Sequence, residues 1–265
     1  MYDSGSLEYI AASSGTNKSY HSAIYFSRNA MAYDKFDIPI PVELSSYNNG
    51  KRTTFNGLYN IFYDENAPYS MGHSFTPEIF LTPSRSGSML VAKNNNVKYF
   101  ISAARQAFEL MAGKKIDENI SISVLPDDEF RMLHSIFGKW SEGILGFSIN
   151  GHLKKIFVRE NNLDVLMIVI GHEIGHVLTE TLPNRHDEEA KAFAFSIEWA
   201  KTIKKQDIAG LGMSIKEEFD FKPARNGLHD VAFEFVIHEV RKGRSACELH
   251  KGLAGKYISL FNTYA

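Results

Sequence analysis

From residue 96 onward the chain is patterned. Val97, Phe100, Ile101, Ala104, Phe108 and Met111 recur at helical spacing. With Asn96 as an N-cap and Gly113 as a stop, they predict a helix. Ile120, Ile122 and Val124 or Leu125 alternate with polar residues, the period of a half-buried strand. Asp127 or Asp128 opens a short helix to about 137. Apolar runs at 144–149 and 153–158 flank Asn150-Gly151, a strong hairpin signal. The next helix, about 163–180, is apolar on nearly every side through its first half, which marks it as buried, and it ends before Pro183. Further helices are expected at about 187–204, 229–242 and 246–262. Residues 206–227, with several glycines and prolines, form a connection.

Residues 1–95 read differently. They are rich in Ser, Asn, Tyr and Gly and carry no sustained helical period. Short aromatic stretches at 57–63 and 78–81 lie between turn residues such as Asn49-Gly50 and Ala67-Pro68, which predicts short strands and loops. The expected organisation is α+β: a loop- and β-rich region over 1–95, a core over 96–205 and a C-terminal helical subdomain over 206–265.

Composition narrows the function classes. A chain of 265 residues with 44% hydrophobic and 23% charged residues is a globular protein, not a disordered one. The net charge of -2 offers no basic field, so no nucleic-acid partner is expected. The single cysteine, Cys247, rules out an intrachain disulfide and a four-cysteine zinc site, and favours a reducing, cytoplasmic setting. The first residues carry no basic-then-apolar pattern, so no signal peptide is expected. The longest apolar run, 165–170, is far short of the roughly 20 residues a membrane helix needs, and no membrane partner is expected. Oligomeric state leaves no mark in the sequence.

The chemistry lies in His172-Glu173-Ile174-Gly175-His176. Histidines four apart share one helix face, so both imidazoles can reach one ion. Glu173 projects slightly round the helix, where it can serve as general base to a water rather than as a ligand. Two histidines and a carboxylate in a buried helix are costly without a partner, and a metal supplies one. A third ligand is needed, and His186, Asp187, Glu188 and Glu189 lie close in sequence. Phe193, Ala190, Ala194 and Ile197 define an apolar face of the next helix. On a helical wheel Glu189 lies about 40° from Phe193 and Glu188 about 140°. Glu189 is therefore expected to face the core, with Glu188 and Lys191 towards solvent. His186 is the alternative ligand.

These residues resemble the zincin metallopeptidases with a glutamate third ligand, the gluzincins. Within them the chain is similar to the ImmA/IrrE-like group and to the small archaeal gluzincin cores. The likeness rests on Gly146-Phe147-Ser148-Ile149-Asn150-Gly151, Ile156-Phe157-Val158, the HEIGH helix and Glu189-Ala190-Lys191-Ala192-Phe193-Ala194. It spans about 96–205 and departs from the group at Lys191 and at Ser196-Ile197-Glu198-Trp199. The resemblance implies a zincin-like core: a small twisted sheet, an active-site helix and a glutamate helix. It implies Zn2+ held by His172, His176 and Glu189, with Glu173 as general base. It implies a metallopeptidase acting on a protein or peptide substrate through a zinc-activated water. A zincin-fold sensor or binding module with a structural or covered zinc is the alternative.

Such a peptidase needs a donor for the oxyanion, and His229, His238, His250, Arg241 and Tyr257 lie downstream. His229, near the apolar face of its helix, is preferred. His21, His73, His134 and His152 read as surface or loop residues, Cys247 as a small buried side chain and Tyr257 as core. Residues 1–95 either complete the core or lie across the cleft as a gate.

Overall fold

The computed structural model describes residues 76–219 and 227–261, together with three strands near the N-terminus. The chain divides into two compact units, 1–65 and 66–265. In the first unit β1 (Ile24–Tyr25), β2 (Ser45–Asn48) and β3 (Lys51–Thr54) form an antiparallel sheet in that order. The aromatic stretch at 57–63 and any gate built from residues before 76 other than these strands lie outside the described residues.

The second unit is α+β. A 3-10 turn at Pro77–Ile79 leads to β4 (Leu90–Val91), which pairs antiparallel with β8 (Asn161–Asn162). Ile79, Phe80, Leu81 and Val91 are buried in the main core, so residues 77–91 belong to this unit physically. Helix α1 (Val97–Ala112) presents Phe100, Ala104, Ala107 and Phe108 inwards and ends at Gly113. Asn96 precedes it in the left-handed conformation without a side-chain cap.

The three-stranded sheet has the order β5 (Ile120–Leu125), β7 (Lys154–Arg159), β6 (Gly146–Asn150). β7 runs parallel to β5 and antiparallel to β6. α2 (Asp127–His134) lies between β5 and β6 in the chain. Residues alternate across a strand. Gly146 and Ser148 therefore face α3 (Leu163–Val177), while Phe147 meets Phe130 and His134 of α2 on the other side. The hairpin turn is Gly151, His152 and Leu153, because Asn150 still pairs with Lys154. The Asn150 amide is drawn into the fold instead. Its Nδ2 donates to the carbonyls of His176 at 3.2 Å and Thr179 at 2.7 Å, fastening the strand end to the end of α3.

Every residue of α3 is buried. The sheet covers one side of it and α4 (Arg185–Gln206) the other. Asp164 in its first turn is paired with Arg85 and Ser88, which neutralise a carboxylate otherwise too costly to bury. α4 starts at its N-cap Asn184, whose side chain accepts from the His186 and Asp187 amides. α5 (Leu228–Arg241) and α6 (Ala246–Ala254) also pack against α4. A Ser245–Glu248 capping box opens α6. Among the described residues no helix is long and apolar enough to cross a membrane.

Candidate metal centre

α3 and α4 bring His172, His176 and Glu189 together in the interior. His172 Nε2 and His176 Nε2 are 3.2 Å apart, and Glu189 Oε2 lies 3.3 Å from the first and 3.8 Å from the second. Ligands about 2.0–2.2 Å from a tetrahedral ion stand roughly 3.3–3.6 Å from one another. The three separations, 3.2, 3.3 and 3.8 Å, lie within about 0.2 Å of that range. Glu189 Oε2 is buried and accepts no hydrogen bond of standard geometry, although imidazole nitrogens stand around it. A buried carboxylate oxygen that meets imidazole nitrogens and makes no well-aligned bond suits a cation, so the residues present fit a metal ion.

The electrostatics agree. Burial lowers His172 to about 4, against the pull of Glu189. Burial also opposes charge on His176, but Glu189 and Glu188 outweigh it and raise that ring to about 9. Burial works against the Glu189 anion as well, yet His229 and His176 hold its carboxyl well below the usual carboxylate range. The cluster thus keeps the His172 imidazole neutral, as a metal ligand must be, and its Glu189 carboxylate anionic beside His176 and His229.

Glu173 follows His172 on α3 and points at β6. A Cβ on Gly146 would come within 3.1 Å of both its Cγ and its Oε1, so the carboxylate lies flat against the edge strand. Its Oε2 is buried without a hydrogen bond. Burial pushes its carboxyl up to about 7, with His176 pulling the other way. That is the range suited to taking and returning a proton at neutral pH.

Glu188 and Lys191, expected towards solvent, are buried. The wheel assumes one apolar face and one wet face. α4 has neither, because α1, α3, α5 and α6 surround it. Glu188 Oε1 accepts from His176 Nδ1 at 2.8 Å, and its Oε2 meets Lys191 Nζ at 2.9 Å. Around the other imidazole, Ser196 Oγ stands 3.4 Å from His172 Nδ1.

The remaining sequence candidates are dispersed, except His229. In the first turn of α5, its Nε2 lies 3.0 Å from Glu189 Oε2 and its ring packs edge-on to Phe193. His186 packs edge-on to Phe261, and Asp187 accepts from Ser259 Oγ and the Leu260 amide; neither reaches the donors. His238, Arg241 and Tyr257 are exposed, as is Cys247. His250 sits against Phe195. His134, read as a surface residue, is fully buried between Trp140 and Phe147. His152 is exposed on the hairpin turn, and His21 and His73 lie outside the described residues.

No family model matches this chain, and neither curated proteins nor solved structures provide a match.

Proposed function

We propose that the chain is a zinc-dependent metallopeptidase of the gluzincin type, hydrolysing peptide bonds in a protein or peptide substrate in a reducing, cytoplasmic compartment. The observation that carries this reading is the pairing of a His172, His176, Glu189 donor set with Glu173, whose carboxyl is raised to about 7. Two imidazoles and one carboxylate are the ligand set of a familiar class of catalytic zinc sites, which leave one position open. Zinc held there supplies Lewis acidity, which acidifies water and polarises a carbonyl. Glu173 then accepts the proton of the attacking water and delivers it to the leaving amine. β6 lies at an edge of its sheet beside Glu173, so an extended substrate can add to it by main-chain hydrogen bonds.

The test is Glu173→Gln. Casein cleavage is expected to disappear while metal content and thermal unfolding stay at wild-type values. A second reading is favoured by burial: Glu173 is 5% exposed and His172 2%, so the site is nearly closed. In that reading the fold is a sensor or binding module with a covered metal. It predicts metal binding without cleavage by wild type or variant.

A further inference from the structure

We propose that Glu188 and Lys191 form a buried buttress that fixes the ring orientation and tautomer of His176, and so sets the metal affinity of the centre. The inference rests on the metal-site reading above and assigns positioning roles to two residues outside the donor set.

The geometry is complete at every polar atom. His176 Nδ1 donates to Glu188 Oε1 at 2.8 Å. Held at Nδ1 by Glu188, the ring keeps that proton and turns Nε2, the nitrogen that a metal would deprotonate, to the cluster containing Glu189 and His172. Glu188 Oε2 accepts from the Leu182 amide at 2.7 Å and from Lys191 Nζ at 2.9 Å. Lys191 also donates to the carbonyl of Glu180 at 3.0 Å and reaches that of His176 at 3.4 Å. His176 is thus held at its ring through Glu188 and at its backbone by Lys191.

This arrangement also separates the roles of the adjacent glutamates. Both Glu188 oxygens are engaged in hydrogen bonds away from the donor nitrogens' focus, whereas Glu189 Oε2 faces only imidazole nitrogens, at 3.0–3.8 Å. Glu188 is therefore spoken for, and Glu189 is the carboxylate left for a cation. Stability alone does not account for the pair. A fully buried lysine–glutamate pair is often matched or bettered by apolar side chains of similar volume. Its charges also cancel, so it orients His176 without adding net charge beside the centre.

The experiment measures Zn2+ affinity by competition with a chelator, alongside 15N NMR of the His176 ring. The proteins are wild type, Glu188→Ala, Glu188→Gln and the double variant Glu188→Leu/Lys191→Met. The double variant removes both charges together and leaves no lone buried ion. It is expected to fold and to bind zinc 10–100-fold more weakly, the range for losing a group that orients a ligand histidine. Its His176 ring is expected to lose the Nδ1-protonated signature. Glu188→Gln alone keeps an oxygen for Nδ1, so it should retain more affinity than Glu188→Ala. Equal affinities for these two single variants, or wild-type affinity and tautomer in the double variant, would overturn the buttress. A wild-type protein that binds no zinc would instead overturn the metal-site reading on which it rests.

Discussion

Gly146 on the edge strand and Glu173 on the central helix approach so closely that a Cβ at 146 would stand 3.1 Å from the glutamate's Cγ and Oε1. It would also stand 2.6 Å from Val169 Cγ1. The missing side chain is what lets the carboxylate lie along the strand. Gly146→Ala is expected to cost about 1–3 kcal/mol, as overpacked cores do, and to move Glu173. On the proposed metallopeptidase reading, hydrolysis should fall by more than tenfold at unchanged metal content, because a general base must stay within hydrogen-bond reach of its proton. Parallel metal analysis and casein assays check this, and a fall in metal content equal to the fall in rate would contradict it.

The donor set makes a graded prediction. His172→Ala and His176→Ala should each abolish stoichiometric metal binding. Glu189→Ala should weaken it more than Glu188→Ala, since Glu189 Oε2 stands among the donor nitrogens and Glu188 acts through His176. Metal analysis of the purified variants after dialysis ranks them, and the reverse order of the glutamates would exchange their roles.

How much of this could be read in advance differs from one residue to the next. The placement of His172 and His176 on one face follows from helical period alone. Facing of Glu189 inwards needed only the phase of α4. Glu188 and Lys191 were misread because phase says nothing about how many partners surround a helix, and α4 is packed on all sides. The same limit hid residues 77–91. Ile79, Phe80 and Leu81 are one three-residue buried run and Val91 belongs to a two-residue strand, both too short for a period to accumulate. His134 was unreadable for another reason. Its burial depends on Trp140 and Phe147, brought over it by tertiary contacts. The parallel pairing of β5 with β7 likewise depends on the path of the intervening chain, which strand alternation does not encode.

Two histidines outside the centre predict acid sensitivity. Burial lowers His134, whose ring nitrogens have no hydrogen-bond partner. Burial, with Lys191 nearby, lowers His250 to about 4. Both are depressed below the unfolded value of about 6.5. The unfolded chain therefore gains protons that the native state refuses. Stability is full above about pH 6.5 and is lost as pH falls, for His250 down to about pH 4. The loss from His250 is on the order of 3 kcal/mol at most. His134→Phe should remove its share, so that the variant gains on wild type at pH 5 relative to pH 8. Thermal unfolding of metal-free protein at the two pH values checks this, and parallel pH curves would count against it.

The last prediction concerns how α3 and α4 come close enough to bring Glu189 to the histidines. A Cβ on Gly175 would stand 2.9 Å from Ala192 Cα and 3.1 Å from its carbonyl oxygen. Those are backbone atoms of α4 and cannot swing aside. In an isolated helix Gly→Ala stabilises by about 1 kcal/mol, so propensity alone predicts a gain. Packing predicts the opposite, because relieving the clash requires the helices to part. Gly175 precedes His176, and Ala192 follows Glu189 by three residues on the facing helix. Parting them there widens the 3.8 Å gap between His176 Nε2 and Glu189 Oε2. Gly175→Ala is therefore expected to lose about 1–3 kcal/mol of stability and at least tenfold in metal affinity. Gly87, with nothing within 4 Å of a Cβ, is the control, and Gly87→Ala should leave metal affinity unchanged. If Gly175→Ala kept both wild-type stability and wild-type affinity, the close approach at 175 would not be what brings Glu189 to the histidines.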